Sequence, residues 1–178
     1  MVDRSPTSCC NDGLSAFAAA VQLLNQELSP REFIYELVRW LDLQMAAEPE
    51  GLGREMLVWA FVAAGPLVPS MATVDRTLEA AHSFVVEPTN THYGALMEAA
   101  TNSYPFGPGD GCYGVSNLGY AGCEPGSGCR SGAGCLVSLA EVIGYDRTTE
   151  AVRGALRSHL DDSDRTAIAS PNERRPTS

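Results

Sequence analysis

The sequence contains no lysine: all twelve basic residues in a chain of 178 are arginines. A phosphate-binding loop of the Walker A type needs a lysine that reaches the phosphates, and Schiff-base chemistry needs a lysine amine. The composition therefore excludes both kinds of site. A preference for arginine over lysine is typical of a GC-rich bacterial genome.

Positive charge is scarce overall, because 22 acidic residues leave a formal net charge of −10. Such a surface repels phosphate backbones and anionic headgroups, so we expect no nucleic-acid partner. Long hydrophobic runs are also missing. The most apolar run, residues 56–68, is too short to cross a bilayer and is interrupted by Gly65-Pro66. We expect no membrane insertion.

The first ten residues are not followed by the apolar stretch of a signal peptide. We therefore expect a cytoplasmic protein. In that compartment cysteines are usually kept as thiols.

Strand patterns are scarce as well, whereas helical patterns follow one another along most of the chain. Ser29-Pro30-Arg31-Glu32 is a capping box with proline at the first helical position. Residues 54–64 are apolar nearly all round, which predicts a central, buried helix that Gly65-Pro66 ends. Further helices are predicted over residues 14–27, 30–47, 72–86, 91–101, 135–143 and 147–160. The sequence thus predicts an all-α fold, a bundle of about six or seven helices with one long Gly/Cys-rich loop.

The chain divides into three predicted regions. Residues 1–12 are polar and predicted to be disordered. Residues 13–160 form the helical domain, which includes the Gly/Cys-rich loop 102–134. Residues 161–178 are predicted to be a disordered tail, since they have little to bury. In the predicted core, Trp59→Ala is expected to cost about 3–5 kcal/mol by opening a cavity.

Four of the six cysteines lie at the loop, and they are separated by ten, five and five residues: Cys112, Cys123, Cys129 and Cys135. Zinc sites usually take ligands from close pairs of cysteines, and iron–sulfur motifs also have other spacings. Free thiols, disulfides, and a zinc or iron–sulfur site held by these four cysteines all remain open. We favour free thiols, and we expect no cofactor.

We predict a different environment for each of the three histidines. His82 is expected to be a half-buried packing residue, and His92 to lie in the first turn of a helix. His159 is expected near a helix C-terminus, where it interacts with the helix dipole. A nucleophilic pair of His92 with Cys112 stays an alternative, since such partners need only be close in space. We predict no catalytic residue and a non-enzymatic protein.

Three segments together resemble a known family: "SPREFIYELVRW", "REMLVWAFVAAGPLVP" and "TLEAAHSFVVEPTNTHYGALMEAA". They are similar to an uncharacterised all-helical bacterial domain-of-unknown-function family from GC-rich genomes. In that family an arginine–glutamate pair opens a tryptophan-containing central helix, and a later helix runs into a Pro-Thr step.

The resemblance covers residues 29–101 and, more vaguely, residues 135–160. The cysteine-rich loop departs from the family, which is alanine-rich there. The resemblance implies a helical fold and a loose link with secretion-system gene neighbourhoods, and it carries no catalytic residue.

We interpret the chain as a helical accessory or adaptor protein that contacts other proteins through its acidic surface and its long loop. The resemblance implies a bacterial secretion-type assembly as the setting. The alternative is a metal-binding or redox-responsive protein that uses the Cys112–Cys135 loop.

Overall fold

A computed structural model describes residues 12–68, 72–101 and 133–169. Within these ranges the protein is helical and contains no strand, which confirms the predicted all-α fold. One 3₁₀ turn, Gly65–Leu67, and seven α-helices occur in them: α1 (Asp12–Asn25), α2 (Pro30–Ala47), α3 (Leu52–Ala64), α4 (Ala72–Val86), α5 (Asn90–Thr101), α6 (Cys135–Ile143) and α7 (Tyr145–Ala169). The disordered segment was predicted over residues 1–12, but α1 already begins at Asp12; residues 1–11 lie outside the described residues. Of the predicted loop 102–134, residues 102–132 also lie outside them.

The capping box at the start of α2 forms as predicted. Ser29 Oγ accepts a hydrogen bond from the Glu32 amide at 3.3 Å, and Glu32 Oε2 accepts one from the Ser29 amide at 3.0 Å. The Ser29 hydroxyl also donates to Glu32, and this hydrogen bond lowers the pKa of the Glu32 carboxyl. The helix then continues to Ala47, the residue at which we expected it to end.

Helix α3 is the centre of the bundle and packs against α2, α4 and α7. Its apolar residues Met56, Leu57 and Phe61 are completely buried, which confirms the predicted central helix. Gly65 ends it as expected. A Cβ atom at Gly65 would overlap the end of the Leu78 side chain, so a larger residue at this position would require Leu78 of α4 to move.

Helix α7 differs from its prediction because it continues past Leu160 to Ala169. Leu160 is its last buried residue, and Asp161 and Asp162 are exposed. Local interactions accompany the extension: Thr166 donates a hydrogen bond to the Asp162 carbonyl, and Arg165 lies 3.9 Å from the Asp162 carboxylate. The predicted start of the disordered tail at residue 161 was therefore wrong; residues 170–178 lie outside the described part.

Within the described ranges, no helix combines the length and the apolar character that crossing a membrane requires. This agrees with the expectation that the chain does not insert into a bilayer.

Trp59 is only half buried, although we expected it to be a core residue. It packs against the edge of the core, and its indole stacks on the ring of His159 from α7. Truncation at this position would therefore leave a partly open surface rather than a closed cavity.

Phe61 is the largest fully buried side chain of α3. We expect Phe61→Ala to lower the free energy of unfolding by about 3–5 kcal/mol, because it leaves a closed cavity. Trp59→Ala is expected to cost only about 1–2 kcal/mol, since solvent already reaches the ring. Urea unfolding followed by circular dichroism measures both. A loss for Trp59→Ala as large as that for Phe61→Ala would contradict this assignment of the core.

Candidate functional site

Cys135 is the one member of the predicted cysteine cluster among the described residues. It is the first residue of α6, is 1% exposed within the core, and is a free thiol. Cys112, Cys123 and Cys129 lie outside the described residues. Within the described ranges no group of three or more histidine, cysteine or acidic side chains is placed to hold a metal ion. The four-cysteine site therefore stays a prediction.

Elemental analysis of protein purified without a chelator tests the state of these cysteines. We expect far less than one zinc or iron per chain, and unchanged helicity after chelation, because the core is built from apolar helix faces rather than from thiolates. Stoichiometric metal, together with loss of helicity on chelation, would contradict the free-thiol interpretation.

Two of the three histidines, His82 and His159, differ from their predicted positions. His82 is exposed on α4 and does not pack in the interior. His92 lies in the first turn of α5, as expected; its amide donates to Thr89 Oγ1 at 3.2 Å and its Nδ1–H donates to the Glu87 carbonyl at 2.7 Å. His159 lies within α7 and not near its C-terminus, because the helix continues to Ala169. The pairing of His92 with Cys112 cannot be placed, because Cys112 lies outside the described residues.

Arg54 is the one charged side chain that is buried in the described part of the protein, and it is only 7% exposed. Its Nη1 donates a hydrogen bond to Asn90 Oδ1 at 2.9 Å. The guanidinium carbon lies 4.5 Å from the centre of the Tyr93 ring and 5.1 Å from that of Phe84. The side chain thus connects α3 with both α4 and α5.

This environment compensates a charge that is costly to bury. Removing a guanidinium from water costs several kcal/mol unless polar partners replace the water. Here the Asn90 amide oxygen accepts one hydrogen bond, and the negative faces of two rings attract the cation. Burial raises the pKa of the Tyr93 hydroxyl, while the nearby Arg54 opposes that shift. The tyrosine therefore stays neutral beside the arginine at physiological pH.

We expect Arg54→Ala to lower the free energy of unfolding by about 2–4 kcal/mol, since it empties the space between two rings. Arg54→Lys is expected to cost about 1–2 kcal/mol, because an ammonium lacks the planar fork that stacks on the rings. Thermal and urea unfolding measure both variants.

Arg76→Ala is the matched control, because Arg76 is exposed on α4. It should change the free energy of unfolding by less than about 0.5 kcal/mol. If Arg54→Ala cost no more than this control, the buried cation would not be what holds α3 to α4 and α5.

A second group of arginines attaches α7 to the first two helices. The guanidinium carbon of Arg153 lies 4.3 Å from the centre of the Phe33 ring, and Arg157 donates to the Leu24 carbonyl at 2.8 Å. Burial, with a smaller effect of Arg157, lowers the pKa of Arg153. Leu24 lies in the last turn of α1, where helix carbonyls lack partners within the helix, so Arg157 satisfies one of them.

A third group joins the starts of α2 and α7. The rings of Tyr35 and Tyr145 lie 6.3 Å apart, and the exposed Arg31 lies 5.5 Å and 5.8 Å from their centres. Burial is the main cause that raises the pKa of Tyr145, and the hydroxyl of Tyr35 adds to it. Thr149 donates a hydrogen bond to the Pro30 carbonyl at 2.9 Å and ties the same two ends together.

The imidazole of His159 on α7 contacts two side chains of α3, the Glu55 carboxylate and the Trp59 indole. His159 Nε2 lies 3.3 Å from Glu55 Oε2, and its ring centre lies 5.3 Å from that of Trp59 at an interplanar angle of 28°. The imidazole is 13% exposed, and its Nε2 atom is buried without a hydrogen bond of good geometry. The group therefore combines a titratable ring with a carboxylate and an aromatic face.

Two large aliphatic side chains are exposed in the described residues, Leu43 at 60% and Val86 at 85%. They lie near the C-terminal ends of α2 and α4. These ends are close together, because Tyr93 contacts Met45 of α2 at 3.7 Å and Phe84 of α4 at a ring distance of 5.7 Å. The exposed Glu48, Glu50 and Glu87 follow the two helices at the same end of the bundle.

The sequence analysis did not identify Arg54, although its spacing from apolar residues of α3 indicated that it is buried. Arg54 lies three and seven residues before Leu57 and Phe61, so helical periodicity places it on the same buried face as those residues. A charged residue on such a face must find partners inside the protein. The identity of those partners, Asn90 and two aromatic rings, had no local signal.

Comparisons with models of protein families, with curated proteins and with solved structures gave no match.

Proposed function

We propose that the protein is a non-enzymatic helical accessory or adaptor protein that works by contact with another protein. The observation that carries the proposal is the exposure of Leu43 and Val86 at one end of the bundle. Burial of one such side chain against a partner is favourable by about 1.5–3 kcal/mol. Single exposed aliphatic residues are common, but two of them at one end of a small bundle favour association there.

The charge around these residues favours a basic partner. Glu48, Glu50 and Glu87 are exposed at this end, and the chain as a whole carries a net charge of −10. An apolar centre with a charged rim is the usual composition of a protein–protein interface, and complementary charge accelerates association. The bacterial secretion-type assembly rests on the family resemblance alone and stays part of the proposal.

A photoreactive amino acid introduced at position 86 would cross-link the bound partner in cells and so allow its identification. With the purified partner, we expect Val86→Glu and Leu43→Glu each to weaken binding about tenfold or more, because either change places charge in an apolar contact. Isothermal titration calorimetry measures the dissociation constants.

Ala18→Glu is the control, since Ala18 is exposed on α1 and the change adds the same charge. All three variants should keep the wild-type circular dichroism spectrum. The proposal fails if position 86 captures no protein, or if Val86→Glu and Leu43→Glu bind the partner as well as Ala18→Glu does.

The alternative, a metal-binding or redox-responsive protein that uses the Cys112–Cys135 loop, is separated from the first by the elemental analysis described above. A contact protein should also bind its partner with all four cysteines changed to serine, whereas a thiol-dependent protein should not.

A further inference from the structure

His159 lies where α7 leaves the bundle. It directly precedes Leu160, the last buried residue of the helix, and of residues 161–166 only Ser163 is partly covered. Its contacts with Glu55 and Trp59 of α3 therefore lie close to the point where α7 extends into solvent. Glu55 and Trp59 are one turn apart on α3, so they present a carboxylate and an indole side by side.

Among the charged side chains of the neighbouring helices, Glu55 of α3 contacts His159. On α7 itself, Asp162 pairs with Arg165, and Ser163 donates to the His159 carbonyl. The helices α1, α2 and α6 also pack against α7. Arg31, Glu32 and Glu36 on α2 and Glu141 on α6 form no ion pair or hydrogen bond with His159. Helix α2 also carries Arg39 and Asp42.

We propose that protonation of His159 strengthens the attachment of the C-terminal part of α7 to α3, so that this attachment depends on pH. Imidazole is the side chain whose charge changes between about pH 5 and pH 8. The protonated ring forms an ion pair with Glu55 across 3.3 Å and a cation–π interaction with Trp59. The neutral ring keeps only its stacking on the indole.

These contacts determine whether the attachment of α7 to α3 strengthens or weakens as the pH changes. The ion pair is present when His159 is protonated and Glu55 is ionised, and it is lost as the pH rises and the imidazole loses its proton. Because Glu55 is half exposed, added salt should weaken the effect.

Trp59 reports the protonation of His159. The chain has two tryptophans, so Trp40→Phe leaves Trp59 as the single indole. A protonated imidazole in contact with an indole quenches its fluorescence. We therefore expect the emission of Trp59 to fall on acidification from about pH 8 to about pH 5.5. His159→Gln should abolish this fall, whereas His82→Gln, which changes an exposed histidine, should leave it in place.

Hydrogen exchange of the amides of residues 161–166 measures the attachment itself. After correction for intrinsic exchange rates, we expect up to about fivefold stronger protection at the lower pH than at the higher pH, which is the size of effect given by a partly exposed ion pair. Glu55→Gln should remove this difference. Glu150→Gln makes the same change at an exposed site on α7 and should retain it.

Each outcome decides the proposal. It is overturned if the emission of Trp59 does not change with pH, or if the pH dependence of exchange is the same in Glu55→Gln and Glu150→Gln. Should His159→Gln fail to fold, the comparison of the two glutamate variants still decides it. The binding measurements with Val86→Glu are separate, so the proposed function can fail without affecting this result.

Discussion

One buried cation, Arg54, contacts residues of both α4 and α5 from its position on α3. Arg54 extends from the first turn of α3 into a space bounded by Phe84 and Tyr93, and it donates a hydrogen bond to Asn90. A purely apolar contact would hold these helices with little preference for their register. A guanidinium that needs an amide oxygen and two ring faces is satisfied in very few arrangements, so it selects one of them. We therefore expect the Arg54 contacts to favour one rotation of the α4–α5 pair about α3.

A second set of polar contacts holds α7 along its length. Thr149, Arg153 and Arg157 reach the Pro30 carbonyl, the Phe33 ring and the Leu24 carbonyl in turn. Two of these contacts satisfy backbone carbonyls at the end of α1 and the start of α2. The loss of one such contact would leave a part-buried carbonyl without this partner, which lowers stability. The long helix thus packs against both α1 and α2.

Much of the helical architecture could be predicted from the sequence, because its signals are local. Apolar periodicity and the flanking prolines and glycines located α4 and α6, and the capping box at Ser29 located the start of α2. The extension of α7 was missed because residues 161–166 are polar, and their polarity was interpreted as disorder. No proline or glycine lies between Leu160 and Ala169, so no helix-breaking residue ends α7 at the edge of the core.

The candidate sites were much less predictable, since their partners are far apart in the sequence. Arg54 and Asn90 are separated by 36 residues, and Thr149 and Pro30 by 119. Periodicity indicates which face of a helix is buried, but it does not identify the side chain opposite. For the same reason Trp59 was expected inside the core, whereas its position against His159 at the edge depends on where α7 crosses α3.

The extension of α7 has a mechanical consequence. An α-helix rises about 1.5 Å per residue, so Ala169 stands about 13 Å beyond Leu160 along the helix axis. A stiff rod of that length acts as a lever whose pivot is the crossing with α3. A tilt of about 10° at the pivot would displace its far end by about 2 Å. A small rearrangement at the crossing is thereby magnified at the tip of the helix.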